Sequence, residues 1–147
     1  MPYVVLDTNI VLGYVRNNDS VIDIFEAAFP PDEYEYIISI VTRGEMYSLA
    51  ARNNWSESKV EKLKELLDSY LQVKIDNEAI VNAYSIIDEF CLKPAHPVRT
   101  TTARPMGKND LWIAATAALY SASLATLDGD FDHLESHFFT LNKFPTT

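Results

Sequence analysis

Short apolar runs alternate along this chain with longer stretches of helical periodicity, and this alternation limits the possible folds more than any other feature. The first run, YVVL at positions 3–6, is typical of a strand that is buried on both faces of a sheet. Further strands are predicted at 34–40, 73–75, 123–127 and 138–141. Strands that alternate with helices predict an α/β domain with a mostly parallel central sheet of four to five strands.

Helical patterns fill most of the intervals between these strands. They are predicted at 9–16, 20–29, 42–53, 56–70, 77–91 and 110–121, with a short helix at 132–136. The stretch from Leu92 to Lys108 contains three prolines and a run of threonines, so it is predicted to be a loop. The sequence has no internal repeat and no linker-like segment. We therefore expect residues 1–147 to form a single domain.

Composition and charge restrict the class of protein. The only cysteine, Cys91, excludes an intramolecular disulfide, and no apolar run approaches the ~18 residues of a membrane span, so we expect a cytoplasmic protein without membrane contact. The formal charge of −9 argues against binding nucleic acid by bulk attraction, because phosphate binding depends on clustered lysine and arginine. That objection weakens if several of the acids lie together and hold divalent cations.

Four acidic residues follow predicted strands or begin predicted helices: Asp7, Glu45, Asp110 and Asp128. Each one has a purely structural interpretation. Asp7 and Asp110 fit helix caps, and Thr42 with Glu45 fits the spacing of a capping box. Asp128 followed by Gly129 is an ordinary turn pair.

Taken together, the four acids indicate a metal site. In a parallel sheet they would lie at the same edge, where four carboxylates repel one another unless a positive charge lies among them. Hard oxygen ligands favour Mg²⁺ or Mn²⁺, and such ions assist hydrolysis at phosphate. The pattern therefore predicts metal-assisted hydrolysis.

Four segments, in this order, carry a resemblance to a known family: VVLDTNIVL, ISIVTRGEM, GKNDLWIAATA and LATLDGDF. They resemble the four motifs of PIN-domain ribonucleases, and within that family the chain looks most like the VapC-type toxins of toxin–antitoxin pairs. The resemblance extends from residue 3 to about residue 131. It implies a PIN-like three-layer α/β/α sandwich.

The resemblance also implies roles for individual residues. The catalytic acids would be Asp7, Glu45, Asp110 and Asp128. Of these, Asp7, Asp110 and Asp128 would bind metal, with Glu45 as a further candidate ligand and Asp130 as the alternative to Asp128. Supporting roles fall to Asn9, Thr126 and Asn109.

The function implied by the resemblance is an endoribonuclease that depends on one or two Mg²⁺ or Mn²⁺ ions. The ions, held by Asp7 and Asp110, would activate a water molecule that attacks an RNA phosphodiester. The expected partners are an RNA substrate, a protein antitoxin and a second copy of the chain in a homodimer. The target RNA and the metal count stay open at this point.

Basic residues near the predicted site are candidates for RNA contact. Arg99, Arg104 and Lys108 belong to the proline-containing loop that leads to Asp110, and Arg43 lies close to Glu45. The same loop residues also fit an ordinary solvated surface, and the sequence does not separate these two interpretations.

Two other functions fit parts of the pattern. A non-catalytic PIN-like module that binds RNA or regulates a partner would share the fold. A metal-dependent phosphatase would also place an aspartate after its first strand, but such enzymes have a second acid two positions later, where this chain has Asn9. A calcium loop at DGDFD is excluded, because His133 stands where that loop needs glycine.

Overall fold

A five-stranded parallel sheet forms the centre of the computed structural model, which describes residues 1–92 and 104–145. The strands are β1 (Tyr3–Leu6), β2 (Glu35–Ser39), β3 (Leu71–Val73), β4 (Ser123–Thr126) and β5 (Thr140–Lys143). Their order across the sheet is β3-β2-β1-β4-β5, and every neighbouring pair is parallel. The predicted parallel sheet is therefore confirmed, and β1 is its central strand.

Helices cover both faces of this sheet. They are α1 (Thr8–Val15), α2 (Asp19–Ala28), α3 (Ile40–Arg52), α4 (Glu57–Asp68), α5 (Glu78–Leu92) and α6 (Lys108–Leu119), with a short 3-10 helix at Asp132–Leu134. Val5 of β1 packs in one apolar cluster with residues of α5 and α6, whereas Val4 and Leu6 pack in a second cluster with residues of α1 to α4. Alternate strand residues thus face opposite layers, which confirms the α/β/α sandwich. None of the described helices is long and apolar enough to cross a membrane.

The pairing of β1 determines which loops meet. Val5 lies opposite Ile37 of β2 on one side and opposite Leu124 of β4 on the other. Because all three strands run in the same direction, their carboxyl ends lie at one edge of the sheet. Asp7, the start of α3 and the turn after β4 are therefore neighbours in space, as the sequence predicted.

Two helix starts differ from the sequence interpretation. Helix α3 begins at Ile40, and its cap is Ser39, whose hydroxyl accepts a hydrogen bond from the Val41 amide at 3.2 Å. The predicted capping box of Thr42 and Glu45 is therefore wrong, because Thr42 lies inside the helix and is fully buried. Helix α6 begins at Lys108 after Gly107, so Asp110 lies within its first turn and is not its cap.

Residues 93–103, which make up most of the predicted loop, lie outside the described residues. The third strand is also displaced from its predicted position, since β3 ends at Val73 and does not begin there. Leu71 consequently belongs to this strand. The 3-10 helix and the edge strand β5 lie close to their predicted positions.

Helices α1 and α2 approach closely at a glycine. A Cβ atom on Gly13 would lie 2.7 Å from Cγ1 of Val21, a side chain with little rotational freedom. A Cβ atom on Gly44 in α3 would meet no atom of the described residues within 4 Å. The packing of the described residues therefore requires glycine at Gly13 and does not require it at Gly44.

We expect Gly13→Ala to lower the free energy of unfolding by about 1–3 kcal/mol, because the added methyl overpacks the α1–α2 contact. Gly44→Ala is the matched control and should raise it by up to about 1 kcal/mol through helix propensity alone. Urea unfolding of the two variants measures the difference. Equal effects on stability would contradict this account of the packing, and Val21→Ala should partly rescue Gly13→Ala.

Candidate active site

Asp7 lies at the carboxyl end of the central strand and is held there by the backbone. Its amide still pairs with the Ala125 carbonyl of β4 at 3.0 Å, while its side chain caps α1 by accepting a hydrogen bond from the Thr8 amide at 2.8 Å. The residue is only 4% exposed. Asp7 therefore has the predicted cap role, and its carboxylate is also almost fully removed from water.

The second carboxylate oxygen of Asp7 is bound by two polar side chains. The Thr126 hydroxyl donates to Oδ2 at 2.7 Å, and the Asn9 amide lies 3.4 Å from the same oxygen. Thr126 in turn accepts from the Asp128 amide at 3.0 Å, and Asn9 accepts from the Leu127 amide at 3.2 Å. This network fixes the turn after β4 against the end of β1.

Glu45 is tied to the same region by a residue that the sequence interpretation missed. The Thr8 hydroxyl donates to Oε1 of Glu45 at 2.8 Å and so joins the start of α1 to α3. The sequence carries one signal for it, since Thr8 stands directly between Asp7 and Asn9 in the first motif. Glu45 is half-buried, with one oxygen already oriented.

Burial and the charges of neighbouring carboxylates together raise the pKa of two of the acids, and burial is the larger cause. Burial raises the pKa of Asp7 to about 7; hydrogen bonds from Thr126 and Thr8 oppose this rise, and the charges of Asp110 and Asp128 add to it. Burial likewise raises the pKa of Asp110 to about 6, with further contributions from Asp130, Glu45 and Asp128. The five predicted acids therefore share one electrostatic field.

The two acids of the last motif occupy different places in that field. Both Asp128 and Asp130 are exposed. The charge of Asp128 raises the pKa of both Asp7 and Asp110, whereas Asp130 acts on Asp110. Asp130 and Asp110 also line a pocket of about 260 Å³ together with Arg104.

The donor chemistry suits a hydrated hard cation. Within residues 1–92 and 104–145, no three Asp, Glu, His or Cys side chains are grouped closely enough to enclose a metal ion. The acids around Asp7 offer only oxygen ligands, and Mg²⁺ typically keeps several waters and uses few carboxylates. The buried carboxylate of Asp7, with its raised pKa and acidic neighbours, therefore fits an open Mg²⁺ or Mn²⁺ site better than a closed zinc cage.

The basic residues predicted to contact RNA lie in different surroundings. Arg43 is paired with Asp68 of α4 at 2.9 Å. Arg104 donates to the Gly129 carbonyl at 2.6 Å, between the two acids of the last motif. Lys108 is exposed in the first turn of α6, and Arg99 lies outside the described residues.

Asn109 lines an open groove of about 490 Å³ next to Glu45. The remaining lining residues are Val41, Gly44, Ser48 and Arg52, all on α3. The sequence interpretation did not select Gly44, Ser48 or Arg52. Their spacing along α3 places them on the same side as Glu45, and that helical periodicity is the signal that was available.

Comparisons with known proteins agree with this geometry. The family model described as PIN domain matches residues 4–136. Ribonuclease VapC1 from Haemophilus influenzae (strain R2866) is 30% identical over 121 residues, which cover 82% of this chain and 83% of that protein. Residues 4–136, which the family model matches, contain all five acids.

Solved structures share the fold at low sequence identity. A structure of VapBC2 from Rickettsia felis, bound to a DNA fragment from their promoter, superposes with a TM-score of 0.75 at 19% identity and covers 96% of this chain and 98% of that one. VapBC-1 from nontypeable Haemophilus influenzae superposes with a TM-score of 0.72 at 22% identity and covers 96% and 97%. These superpositions support the architecture independently of the sequence motifs.

The raised pKa values predict how stability depends on pH in the absence of divalent cations. A carboxyl group whose pKa is higher in the folded protein stabilises it fully below the unfolded value of 3.8, and this contribution is lost as the pH rises through about 7 for Asp7 and about 6 for Asp110. The free energy of unfolding should therefore fall across this range. Asp7→Asn has no carboxylate to ionise, so at pH 8 it avoids the ~4 kcal/mol cost that this rise in the pKa of Asp7 implies. Because the amide also loses part of the hydrogen bonding to Thr126 and Thr8, the variant should be more stable than the wild type by ~2 kcal/mol.

The matched control is Asp23→Asn, the same change at an exposed position of α2. Urea unfolding between pH 4 and pH 8, with chelator present, gives the comparison. If the free energy of unfolding of both variants changed with pH as that of the wild type does, the pKa of Asp7 would not be raised.

Proposed function

The chain belongs to the PIN domain family, and from this we propose that it is a Mg²⁺- or Mn²⁺-dependent endoribonuclease and the toxin of a toxin–antitoxin pair. The observation that carries the proposal is the nearly buried carboxylate of Asp7, whose pKa is raised toward neutrality beside Asp110 and Asp128. Concentrated negative charge lowers the stability of the folded protein, and a bound cation would offset that loss. Such unfavourable placements are typical of functional sites. The similarity to Ribonuclease VapC1 supports RNA as the substrate class.

Asp7, Asp110 and Asp128 would hold one or two ions, with Glu45 as a further ligand. Such an ion supplies Lewis-acid activation of water and neutralises the charge that develops at a phosphodiester. The acidic field of the site is the protein's own contribution, because it attracts a divalent cation into a region that would otherwise repel the RNA backbone.

The polar neighbours act as positioning residues in this proposal. Thr126 and Asn9 hold one oxygen of Asp7 and thereby fix which way the carboxylate faces. Thr8 does the same for Glu45. Preorganised ligands of this kind lose little entropy when a cation binds, since their rotamers are already fixed. Asn109 supports the site from the exposed first turn of α6.

RNA contact is assigned to cations at the rim of the site. Arg104 and Lys108 are exposed on the segment that leads into α6, close to Asp110. Arg99 remains a candidate on sequence grounds. Arg43 is the weakest of the four, because its guanidinium is already paired with Asp68.

A protein antitoxin, a homodimeric state and a cytoplasmic location belong to the same proposal. The VapBC2 and VapBC-1 structures support the antitoxin by analogy, as does a toxin–antitoxin complex from Klebsiella pneumoniae, which superposes with a TM-score of 0.71. The likeness of these complexes to this chain is one of fold. A toxin needs an inhibitor until it acts, which is the reason to expect a partner here.

The second candidate function is a non-catalytic PIN-like module that binds RNA or regulates a partner. The described residues contain no tight group of three metal-binding side chains, which is compatible with this module as well as with an open Mg²⁺ site. The two functions differ in a direct way, because only the nuclease requires a divalent cation. A phosphatase is not proposed, since Asn9 occupies the position of its second acid.

We expect the wild-type protein to cleave single-stranded RNA in Mg²⁺ or Mn²⁺ and to lose this activity in EDTA. Asp7→Asn should lower the cleavage rate by about a hundredfold or more, because a metal ion contributes several kcal/mol of transition-state stabilisation. Gel analysis of a labelled RNA measures the rate, with Asp23→Asn as the control. Full activity of Asp7→Asn, or cleavage that persists in EDTA, would refute the assignment.

The same assay distinguishes Asp128 from Asp130. Asp128 influences both Asp7 and Asp110, so Asp128→Asn should reduce Mn²⁺ affinity and cleavage more than Asp130→Asn does. Calorimetric titration with Mn²⁺ gives the affinities. The reverse order would make Asp130 the metal ligand.

The toxin role predicts that expression of this chain arrests bacterial growth by degrading RNA. Asp7→Asn should relieve the arrest while accumulating to the same level, because it removes the metal site and retains the fold. Growth curves with immunoblots of both proteins give the measurement. Unimpaired growth with active, soluble wild-type protein would argue for a nuclease outside a toxin–antitoxin pair.

A further inference from the structure

The groove beside Glu45 contains a glycine that the fold itself does not require. Gly44 lies in the interior of α3, where glycine is less favourable than alanine. A Cβ atom there would meet nothing within 4 Å among residues 1–92 and 104–145, so no described element explains the missing side chain. Gly44 instead lines the groove of about 490 Å³ next to Glu45. The space it leaves is open to something outside the chain.

The far end of this groove carries a cation. Arg52 is exposed in the last turn of α3 and forms no ion pair or side-chain hydrogen bond with any residue in the described part of the chain. Arg43 on the same helix differs, because it is engaged by Asp68, Tyr47 and Gln72. Arg52 is therefore the cation of α3 that remains available to a ligand.

The spacing along α3 connects this cation to the site. Glu45 and Arg52 lie seven positions apart, which corresponds to about 10 Å along the helix axis, and Ser48 lies between them with an exposed hydroxyl. A ligand in the groove would thus meet the catalytic acids at one end, a hydroxyl in the middle and a guanidinium at the other end. The order of these groups along the groove suits a phosphodiester backbone that has one phosphate at the metal site and another at the guanidinium.

We propose that the groove between α3 and Asn109 of α6 binds the RNA strand next to the cleaved phosphodiester, with Gly44 leaving room for the backbone and Arg52 holding a neighbouring phosphate. The inference rests on the proposed nuclease function. Arg52 and Gly44 are binding residues in it and take no part in the reaction itself.

Arg52 is tested by the salt dependence of RNA binding. The probe is a labelled, mixed-sequence single-stranded RNA oligonucleotide, titrated with Asp110→Asn protein so that it is not cleaved, and the observable is fluorescence anisotropy at several KCl concentrations. In that background Arg52→Gln should weaken binding about fivefold or more and reduce the slope of log K against log salt by about 0.7, the value for one phosphate contact to a single strand. Arg52→Lys should restore the slope, and Lys62→Gln, which removes a charge from the exposed face of α4, should leave it unchanged.

Gly44 is tested by substitutions of increasing side-chain size, again in the Asp110→Asn protein. Gly44→Ala should keep RNA binding within about twofold and raise the melting temperature, whereas Gly44→Leu should weaken RNA binding at least tenfold without lowering the melting temperature. Wild-type binding by both Arg52→Gln and Gly44→Leu would overturn the inference. An altered oligomeric state of Gly44→Leu with intact RNA binding would also overturn it and assign the groove to a protein interface.

Failure of the inference and failure of the proposed function give different results. If protein with wild-type metal ligands neither binds Mn²⁺ in calorimetry nor cleaves RNA, the proposed function fails. If it does both, and Arg52→Gln and Gly44→Leu retain wild-type RNA affinity, only the groove assignment fails.

Discussion

The burial of one carboxylate, that of Asp7, is the constraint on which the rest of the site depends. Its backbone continues the pairing between β1 and β4, and its side chain caps α1. The residue cannot move away from the sheet edge without breaking the central strand pair or the helix start. The protein therefore keeps a desolvated acid in place, and the surrounding hydroxyl and amide groups satisfy its oxygens without supplying a compensating charge.

This arrangement accounts for the acidic character of the region. Asp110 and Asp128 would destabilise a buried neighbour if they served only the fold, since their charges raise its pKa further. Functional sites are where such unfavourable placements persist. Helix α3 serves both the core and the candidate site. One side packs Met46 and Ala50 into the core, and another side presents Glu45 and the groove residues. Core packing and the candidate site thus share this helix.

Much of this was predictable from the sequence, and the reasons are physical. The strand and helix periodicities gave the parallel sheet correctly, and parallel strands necessarily bring their carboxyl ends, and hence Asp7 and Asp128, to one edge. The predicted cap of α3 was wrong because Ser39 and Thr42 are both residues that commonly cap helices. The burial of Thr42 in the tertiary structure decides in favour of Ser39. The bond from Thr8 to Glu45 joins residues of two different motifs, and no local pattern encodes it. Arg52 was missed although its helical spacing from Glu45 was visible, because an exposed arginine looks the same in sequence whether or not it lines a groove.

The most direct test of the account asks whether the acids around Asp7 bind a divalent cation. Thermal unfolding at pH 8 with and without Mn²⁺ measures this, since a ligand that binds only the folded protein raises its melting temperature, and the rise grows with the logarithm of the ligand concentration divided by Kd. The account predicts that Mn²⁺ raises the melting temperature of the wild type and of Asp23→Asn by equal amounts and leaves that of Asp7→Asn unchanged. An equal rise in Asp7→Asn, or no rise in the wild type, would contradict it.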